Sequence, residues 1–209
     1  MNDLTAERYY PNLMGKIFLQ ALEEILGREG LIAVLKQSEL SQLIPGNLAS
    51  NLDREIPFTY ISKIMSSLET IYGERGGQGL SIRSGRVCFK YGLREFGRQD
   101  SLADQNFRLL PLNTKIRQGA KILADIFNKY SDQRVQVGED EQHFYWQMDD
   151  CPLCWGRDAD HPICHLAVGT LQEALSWVSG GKFYTVEETS CMARGDPFCS
   201  LCIDKLPIE

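Results

Sequence analysis

The stretch Cys164–Ile203, CHLAVGTLQEALSWVSGGKFYTVEETSCMARGDPFCSLCI, decides how this chain folds and carries four of its seven cysteines. Apolar residues recur with a period near four from Ile163 to Val178, which predicts a helix that ends at Gly180 and Gly181. The segments KFYTVEE and FCSLCID then predict two strands, joined by the turn sequence ARGDP. The end of the chain is therefore predicted to be a helix followed by a β-hairpin.

Outside this stretch, the hydrophobic period divides the chain near residue 130. RVQV and HFYWQM alternate with a period of two and predict two more strands, with GEDEQ as their turn. Before them, helical spacing predicts helices through 13–25, 61–72 and 116–127, while the glycine-rich GERGGQGLSIRSG predicts a loop. We therefore expect a single α+β domain over 1–209. Its helical N-terminal half (about 1–130) would pack on a mainly antiparallel sheet in a strand-rich part (about 131–209).

The composition excludes some classes of function. A net charge of −6 and a pI near 5.2 argue against nucleic acid as a partner, because phosphate binding needs a surplus of Lys and Arg. No apolar run approaches the roughly 18 residues of a membrane span, and the N-terminus resembles no leader peptide. We expect a cytoplasmic protein without a membrane span.

The cysteines are the strongest chemical feature, because six of the seven lie between Cys151 and Cys202. In a reducing compartment such a group indicates metal or redox chemistry rather than disulfides. One metal site would join the pairs Cys151/Cys154 and Cys199/Cys202 as four thiolates. A strand through FCSLCID argues against it, because side chains three residues apart point to opposite faces.

A second site draws its ligands from three elements. Cys164 would come from the helix start, Glu188 and Cys191 from the end of one strand, and Cys199 from the position just after the turn. A hairpin brings Cys191 and Cys199 close together, and three thiolates with one carboxylate suit a tetrahedral Zn²⁺. A closed set of this kind would be structural and would pin the C-terminal hairpin to the helix.

These residues resemble the C-terminal signature of the vinyl-4-reductase domain family. The signature has a Cys, a Gly five residues later, Glu-x-x-Cys, a Gly-Asp turn and a last Cys. The matching positions in this sequence are Cys164, Gly169, Glu188, Cys191, Gly195, Asp196 and Cys199. The Cys-to-Glu spacing is one residue longer than in the family, which makes Glu187 an alternative to Glu188.

The resemblance implies a zinc site at Cys164, Glu188, Cys191 and Cys199, as in family members that sense aromatic compounds. It also implies an α+β fold related to subunits of the TRAPP-type vesicle-tethering complex, commonly a homodimer. Other family members are linked to bacteriochlorophyll biosynthesis, so the implied ligand is a small apolar, aromatic or tetrapyrrole-like molecule. The family pattern does not include Cys151, Cys154 and Cys202.

The remaining candidates concern ligand binding. Trp146, Trp155, His143 and His165 lie in the cysteine-rich half, where aromatic rings would line an apolar cavity and a histidine would bind a ligand hydroxyl or a tetrapyrrole metal. No catalytic motif stands out, so we expect sensing, carriage or assembly rather than catalysis. The alternative is a redox subunit of tetrapyrrole vinyl reduction. It would use Cys151, Cys154 and Cys202 for a second metal, an iron–sulfur cluster or thiol exchange.

Overall fold

The computed structural model describes residues 6–44, 48–97, 107 and 109–208. Its helices are α1 (Asn12–Gln37), α2 (Phe58–Phe96), α3 (Leu112–Tyr130) and α4 (His165–Ser179). A small sheet pairs β1 (Tyr9–Pro11) with β2 (Arg54–Pro57), and the larger sheet contains β3 (Val135–Glu139), β4 (His143–Met148), β5 (Val186–Ser190) and β6 (Cys199–Asp204). The larger sheet has the order β3-β4-β6-β5, and all its neighbours are antiparallel.

This architecture confirms the predicted α+β class with a helical N-terminal half and a mainly antiparallel sheet. The predicted turn GEDEQ connects β3 to β4, where Asp140 accepts hydrogen bonds from the backbone N–H groups of Gln142 and His143. The small β1–β2 sheet was not predicted, because its strands are only three and four residues long. Among the described residues, no helix has the length and apolar character needed to cross a membrane.

The prediction of a loop through GERGGQGLSIRSG is wrong. This stretch and the RVCFKYGLREF that follows it continue α2, which bends at Gly73 (φ +73°) and then remains helical to Phe96. A positive φ is accessible to glycine without steric cost, so Gly73 allows the bend that joins the two helical segments. Gly85, the last glycine of the stretch, therefore lies in a helix that packs closely against a neighbour rather than in a loop.

Two glycines allow α2 and α4 to cross at short range. A Cβ on Gly85 would lie 2.1 Å from the carbonyl oxygen of Leu166, and a Cβ on Gly169 would lie 2.0 Å from that of Ile82. Either side chain would force the helices apart. The crossing fixes the N-terminal half of α4 against α2, and thereby fixes the start of α4 relative to the sheet.

The inner face of the larger sheet forms part of the core. On β4, Phe144, Trp146 and Met148 are buried and alternate with half-buried residues, as the sequence period predicts. Their partners on β6 are Ile203, Leu201 and Cys199. The side chain of Cys199 therefore points to the core side of the sheet, where the helices lie.

Candidate metal centre and ligand cavity

The two cysteines of β6 lie on opposite faces of the sheet. Cys199 is fully buried on the core side, whereas Cys202 is half-buried on the other face, opposite Tyr145 and Glu187. This arrangement agrees with the alternation expected of a strand. Cys202 consequently belongs to neither group of converging metal-binding side chains among the described residues.

The turn between β5 and β6 brings Cys191 beside Cys199. Asp196 accepts a hydrogen bond from the backbone N–H of Cys191 at 2.8 Å and also binds the Arg194 guanidinium. The backbone N–H of Met192 points at the Cys199 sulfur, 3.2 Å away. A turn amide thus compensates charge on Cys199, while Arg194 is engaged by Asp196 instead.

Glu188, rather than Glu187, faces the cysteines. The pairing of β5 with β6 shifts by one residue after Glu188, which marks a β-bulge, and Glu188 is only 8% exposed whereas Glu187 is exposed. Oε2 of Glu188 accepts a hydrogen bond from the backbone N–H of Cys164 at 2.7 Å. Its Oε1 is buried and has no hydrogen-bond partner. A buried carboxylate oxygen without a partner is a ready ligand for a cation.

Cys164 connects the hairpin to α4. It is the N-cap residue of that helix, and its side chain makes no capping hydrogen bond. Its sulfur lies 3.7 Å from that of Cys199 and 3.9 Å from that of Cys191. The predicted set Cys164, Glu188, Cys191 and Cys199 therefore comes together, with its ligand atoms all within 4.8 Å of one another.

Cys151 and Cys154 reach the same place from the loop after β4, where a turn rather than a strand lets both sulfurs point the same way. The sulfur of Cys151 lies 3.4 Å from that of Cys164, and the sulfur of Cys154 lies 3.4 Å from that of Cys199. The redox alternative drawn from the sequence grouped this pair with Cys202, which lies on the opposite face of the sheet. In the structure the pair converges with Cys164 and Cys199 instead.

The cluster holds ionisable groups in a buried position where negative charge is unfavourable. Burial raises the pKa of Glu188 to about 8, and the neighbouring Cys191 adds to the shift. Burial likewise raises the pKa of Cys151 to about 11 and that of Cys164 well above its ordinary value. A divalent cation among these groups would favour their ionised forms. The arrangement therefore suits a metal ion, and the buried cysteine cluster is able to bind one.

A cavity of about 290 Å³ lies between α3, α4 and the inner face of the larger sheet. Its apolar wall is formed mainly by Phe89, Ile116, Leu123, Phe144, Trp146, Leu171, Ala174, Trp177 and Val178. The ion pair of Arg117 with Glu139, whose Nε–Oε1 distance is 2.6 Å, lies at its edge. Among the described residues that line it there is no His, Cys or Met.

One of the four predicted ligand-binding residues, Trp146, lines this cavity. Trp155 packs edge-on against Phe58, with ring centroids 5.7 Å apart, and is part of the core. His143 faces Asp140 and Asp204 at a sheet edge. None of the other three predicted residues contacts the cavity.

His165 is the first residue of α4 and half-buried, and burial lowers the pKa of its imidazole. It does not line the cavity. The sequence did not identify the contribution of α3 to the cavity, although the helical spacing of Ile116 and Leu123 already marked an apolar face of that helix.

The comparisons with known proteins agree with this geometry. The family model of the vinyl-4-reductase domain matches residues 144–205, which include nearly all of β4, the whole of α4, β5 and β6, and all six converging side chains. The resemblance to that family is thereby confirmed over residues 144–205. A comparison with curated protein sequences finds no match.

Solved structures of ligand-binding sensory domains share the fold. An H-NOX protein from S. oneidensis in its Fe(II)NO state is 12% identical with a TM-score of 0.60, over 93% of this chain and 99% of that chain. An Fe(II) unliganded H-NOX protein from K. algicida is also 12% identical, with a TM-score of 0.59, over 95% of this chain and 97% of that one. The phenol-responsive sensory domain of the transcription activator PoxR, with phenol, is 20% identical with a TM-score of 0.52, over 73% and 77%.

Proposed function

We propose that this chain is a small-molecule-binding sensory domain that takes an apolar aromatic ligand in the cavity beside α4 and is stabilised by Zn²⁺ at the cysteine cluster. The observation that carries the proposal is the path of α4. Its first turn begins at Cys164 in the cluster, and its second half lines the cavity with Leu171, Ala174 and Trp177. A metal that fixes the start of the helix therefore also fixes one wall of the ligand site.

The chemistry of the donor set supports zinc. Cys164, Glu188, Cys191 and Cys199 offer three sulfurs and one carboxylate oxygen, which is a ligand set that tetrahedral zinc accepts. The buried Oε1 of Glu188, without a hydrogen-bond partner, points to a missing positive charge. When bound, the ion would supply structural cross-linking between α4 and the β5–β6 hairpin, since a closed set of four ligands leaves no position for a substrate.

The size and lining of the cavity support a single-ring aromatic ligand. A volume of about 290 Å³ lies at the lower end of the range for small-molecule sites, about 300–1,000 Å³. The walls are apolar and aromatic, while Arg117 at the edge offers a hydrogen bond to one polar substituent. Phenol bound to the PoxR sensory domain is a ligand of this kind.

A tetrapyrrole-like ligand and a link to bacteriochlorophyll biosynthesis remain predictions. The H-NOX relatives are named with an iron centre, but the cavity here is not lined by His, Cys or Met to hold such an iron. Neither His143 nor His165 reaches it. The residues present therefore do not fit a haem, and we favour the smaller aromatic ligand. Homodimerisation and a cytoplasmic location also stay predictions.

The test is ligand binding by the zinc-loaded chain, with phenol, 4-methylphenol and 4-ethylphenol as probes. At least one of them is expected to raise the melting temperature with concentration and to give a titratable heat of binding. Ala174→Leu, which fills the cavity from α4, should weaken that binding at least about tenfold, or about 1.4 kcal/mol. Ala33→Leu, at an exposed position of α1, is the matched control and should bind as the native chain does. Absence of binding by all three phenols would refute the aromatic-ligand proposal.

The redox alternative is a subunit of tetrapyrrole vinyl reduction with an iron–sulfur cluster. In a [4Fe–4S] cluster the cysteines bind different irons and lie farther apart than the sulfurs here, which are 3.4–3.9 Å from one another. Metal analysis and an absorption spectrum of anaerobically purified protein separate the two functions. Zinc without a visible band is expected, whereas iron, inorganic sulfide and a broad brown absorbance would establish the alternative.

A further inference from the structure

The cluster contains more donors than one tetrahedral ion can use. Two groups of four side chains converge, Cys151, Cys154, Cys164 and Cys199 in one and Cys164, Glu188, Cys191 and Cys199 in the other. Because the two groups share Cys164 and Cys199, they comprise six residues in total, all buried. A tetrahedral cation binds four ligands, so one ion leaves two donors without a metal.

The spacing of the sulfurs matches two tetrahedra that share an edge. With metal–sulfur bonds of about 2.3 Å, neighbouring sulfurs of one tetrahedron lie about 3.8 Å apart. The shared edge from Cys164 to Cys199 measures 3.7 Å. The Cys191 sulfur, which belongs to one group, lies 3.9 Å from that of Cys164, and the Cys151 sulfur, which belongs to the other group, lies 3.4 Å from it.

We infer that the cluster holds two zinc ions, bridged by the thiolates of Cys164 and Cys199. This inference rests on the metal part of the proposed function and extends it with a second ion at Cys151 and Cys154. A single ion in either group of four side chains would leave buried donors of the other group without a metal. An ion with Cys151 and Cys154 leaves Oε1 of Glu188 without a partner, and an ion with Glu188 and Cys191 leaves the Cys151–Cys154 pair unused.

The loop that carries the Cys-x-x-Cys pair is held in place by its own contacts. Its backbone N–H at Ala159 donates to the carbonyl of Ala193 in the β5–β6 turn at 2.9 Å. Arg157 donates to the carbonyl of Leu153 at 3.3 Å and forms an ion pair with Glu69 of α2. The loop therefore presents one sulfur to Cys164 at the start of α4 and the other to Cys199 of the hairpin.

The charge of the cluster is compatible with two ions. Five thiolates and one carboxylate carry six negative charges when ionised, and two divalent cations reduce the sum to about −2. The N-terminal end of α4 and the N–H of Met192, 3.2 Å from the Cys199 sulfur, compensate part of the remainder. A single ion would leave thiols protonated in a closely packed, buried group.

The experiment counts metal per folded chain. Native mass spectrometry and elemental analysis of the full chain, dialysed to remove loosely bound ions, should give two zinc ions. The double variant Cys151→Ser/Cys154→Ser should retain one, and Cys202→Ser, on the opposite sheet face, should retain two. With ¹¹³Cd in place of zinc, the native chain should show two resonances coupled through the shared sulfurs, and the double variant one.

Each outcome separates this inference from the proposed function. One ion in the native chain and one in the double variant would overturn the second site but leave the proposed zinc site intact. One ion in the native chain and none in the double variant would overturn both, since the only ion would then bind Cys151 and Cys154. Two cadmium resonances without coupling would show that no thiolate is shared between the two ions. Inorganic sulfide in the protein would show that the cysteines hold an iron–sulfur cluster instead of two zinc ions.

Discussion

The two ends of α4 offer opposite kinds of binding site. Its first turn meets a group of six buried polar donors, whereas its last two turns border a cavity with apolar walls. The donors are conspicuous in the sequence, because a cluster of cysteines with a glutamate is rare in a core without partners. The cavity is not recognisable in the sequence, since its walls consist of the same apolar residues that form any hydrophobic core. The chemistry of a metal site is thus easier to predict than the shape of an apolar one.

Substitutions in the cysteine cluster at the start of α4 should have the largest effect on the stability of the fold. Cys164→Ser removes a donor common to both groups, and we expect the free energy of unfolding to fall by more than about 4 kcal/mol with loss of zinc. Urea denaturation with parallel zinc analysis measures both. Cys202→Ser is the control, because that thiol lies on the other sheet face. If both variants unfold at the same urea concentration, the cysteine cluster does not hold α4 to the β5–β6 hairpin.

The crossing of α2 and α4 should be the next most sensitive feature. In Gly169→Ala the new Cβ would lie 2.0 Å from the Ile82 carbonyl oxygen, so we expect a loss of about 1–3 kcal/mol or more from overpacking. Gly79→Ala adds the same methyl group to an exposed position of α2 with no atom within 4 Å, and should be neutral or slightly stabilising. Equal melting temperatures of the two variants would contradict the close crossing.

Substitution of each of the two neighbouring glutamates on β5 tests which carboxylate belongs to the cysteine cluster. Glu188→Gln should weaken zinc binding at least about tenfold, because it removes the buried negative charge that faces the cysteines. Glu187→Gln, on the exposed face beside Cys202, should leave it unchanged. Competition with a chromophoric chelator measures the affinity. The reverse order of effects would place Glu187 at the ion.

The smallest effect is expected at the edge of the cavity. Hydrogen bonds from Arg117 and then from Lys205 lower the pKa of Glu139 to about 2. In Arg117→Gln the pKa should rise towards 4.5 but stop short of it, because Lys205 still donates. Since the folded pKa is the lower one, the ion pair contributes above about pH 4.5, and its contribution is lost as the pH falls towards 2. Carboxylate NMR titration measures the shift, and an unchanged pKa would show that Lys205 alone sets it.

Local patterns in the sequence predicted the convergence of Cys164, Glu188, Cys191 and Cys199. The helix period places Cys164 at a helix start, and the strand alternation separates Cys199 from Cys202. The helix period and the strand alternation depend only on residues that are neighbours in the sequence, so the folded structure shows them as predicted. The choice of Glu188 over Glu187 became visible only in the paired strands, where Glu188 lies opposite Leu201 and Glu187 lies opposite Cys202.

The loop that was wrongly predicted between Gly73 and Gly85 and the unpredicted partners of Cys151 and Cys154 have the same physical cause. The glycines between Gly73 and Gly85 predicted a loop by composition, but Gly85 faces a helix about 80 residues away along the chain, where the absence of a side chain permits contact. The path of the loop after β4 likewise depends on the turn it packs against, and this path brings Cys151 and Cys154 to Cys164 and Cys199. Distant packing decides both cases, and no local pattern encodes it.

The sequence by itself determined the α+β class, the strand-rich C-terminal part and the residue types for a thiolate-rich metal site, because periodicity and side-chain chemistry are local properties. Only the tertiary structure decided that Cys151 and Cys154 converge with Cys164 and Cys199, that Glu188 rather than Glu187 faces the cysteines, and that α3, α4 and the sheet enclose a cavity. Those features depend on distances between segments far apart in the chain. Such distances are set by the close crossing of α2 with α4 and by the pairing of the strands.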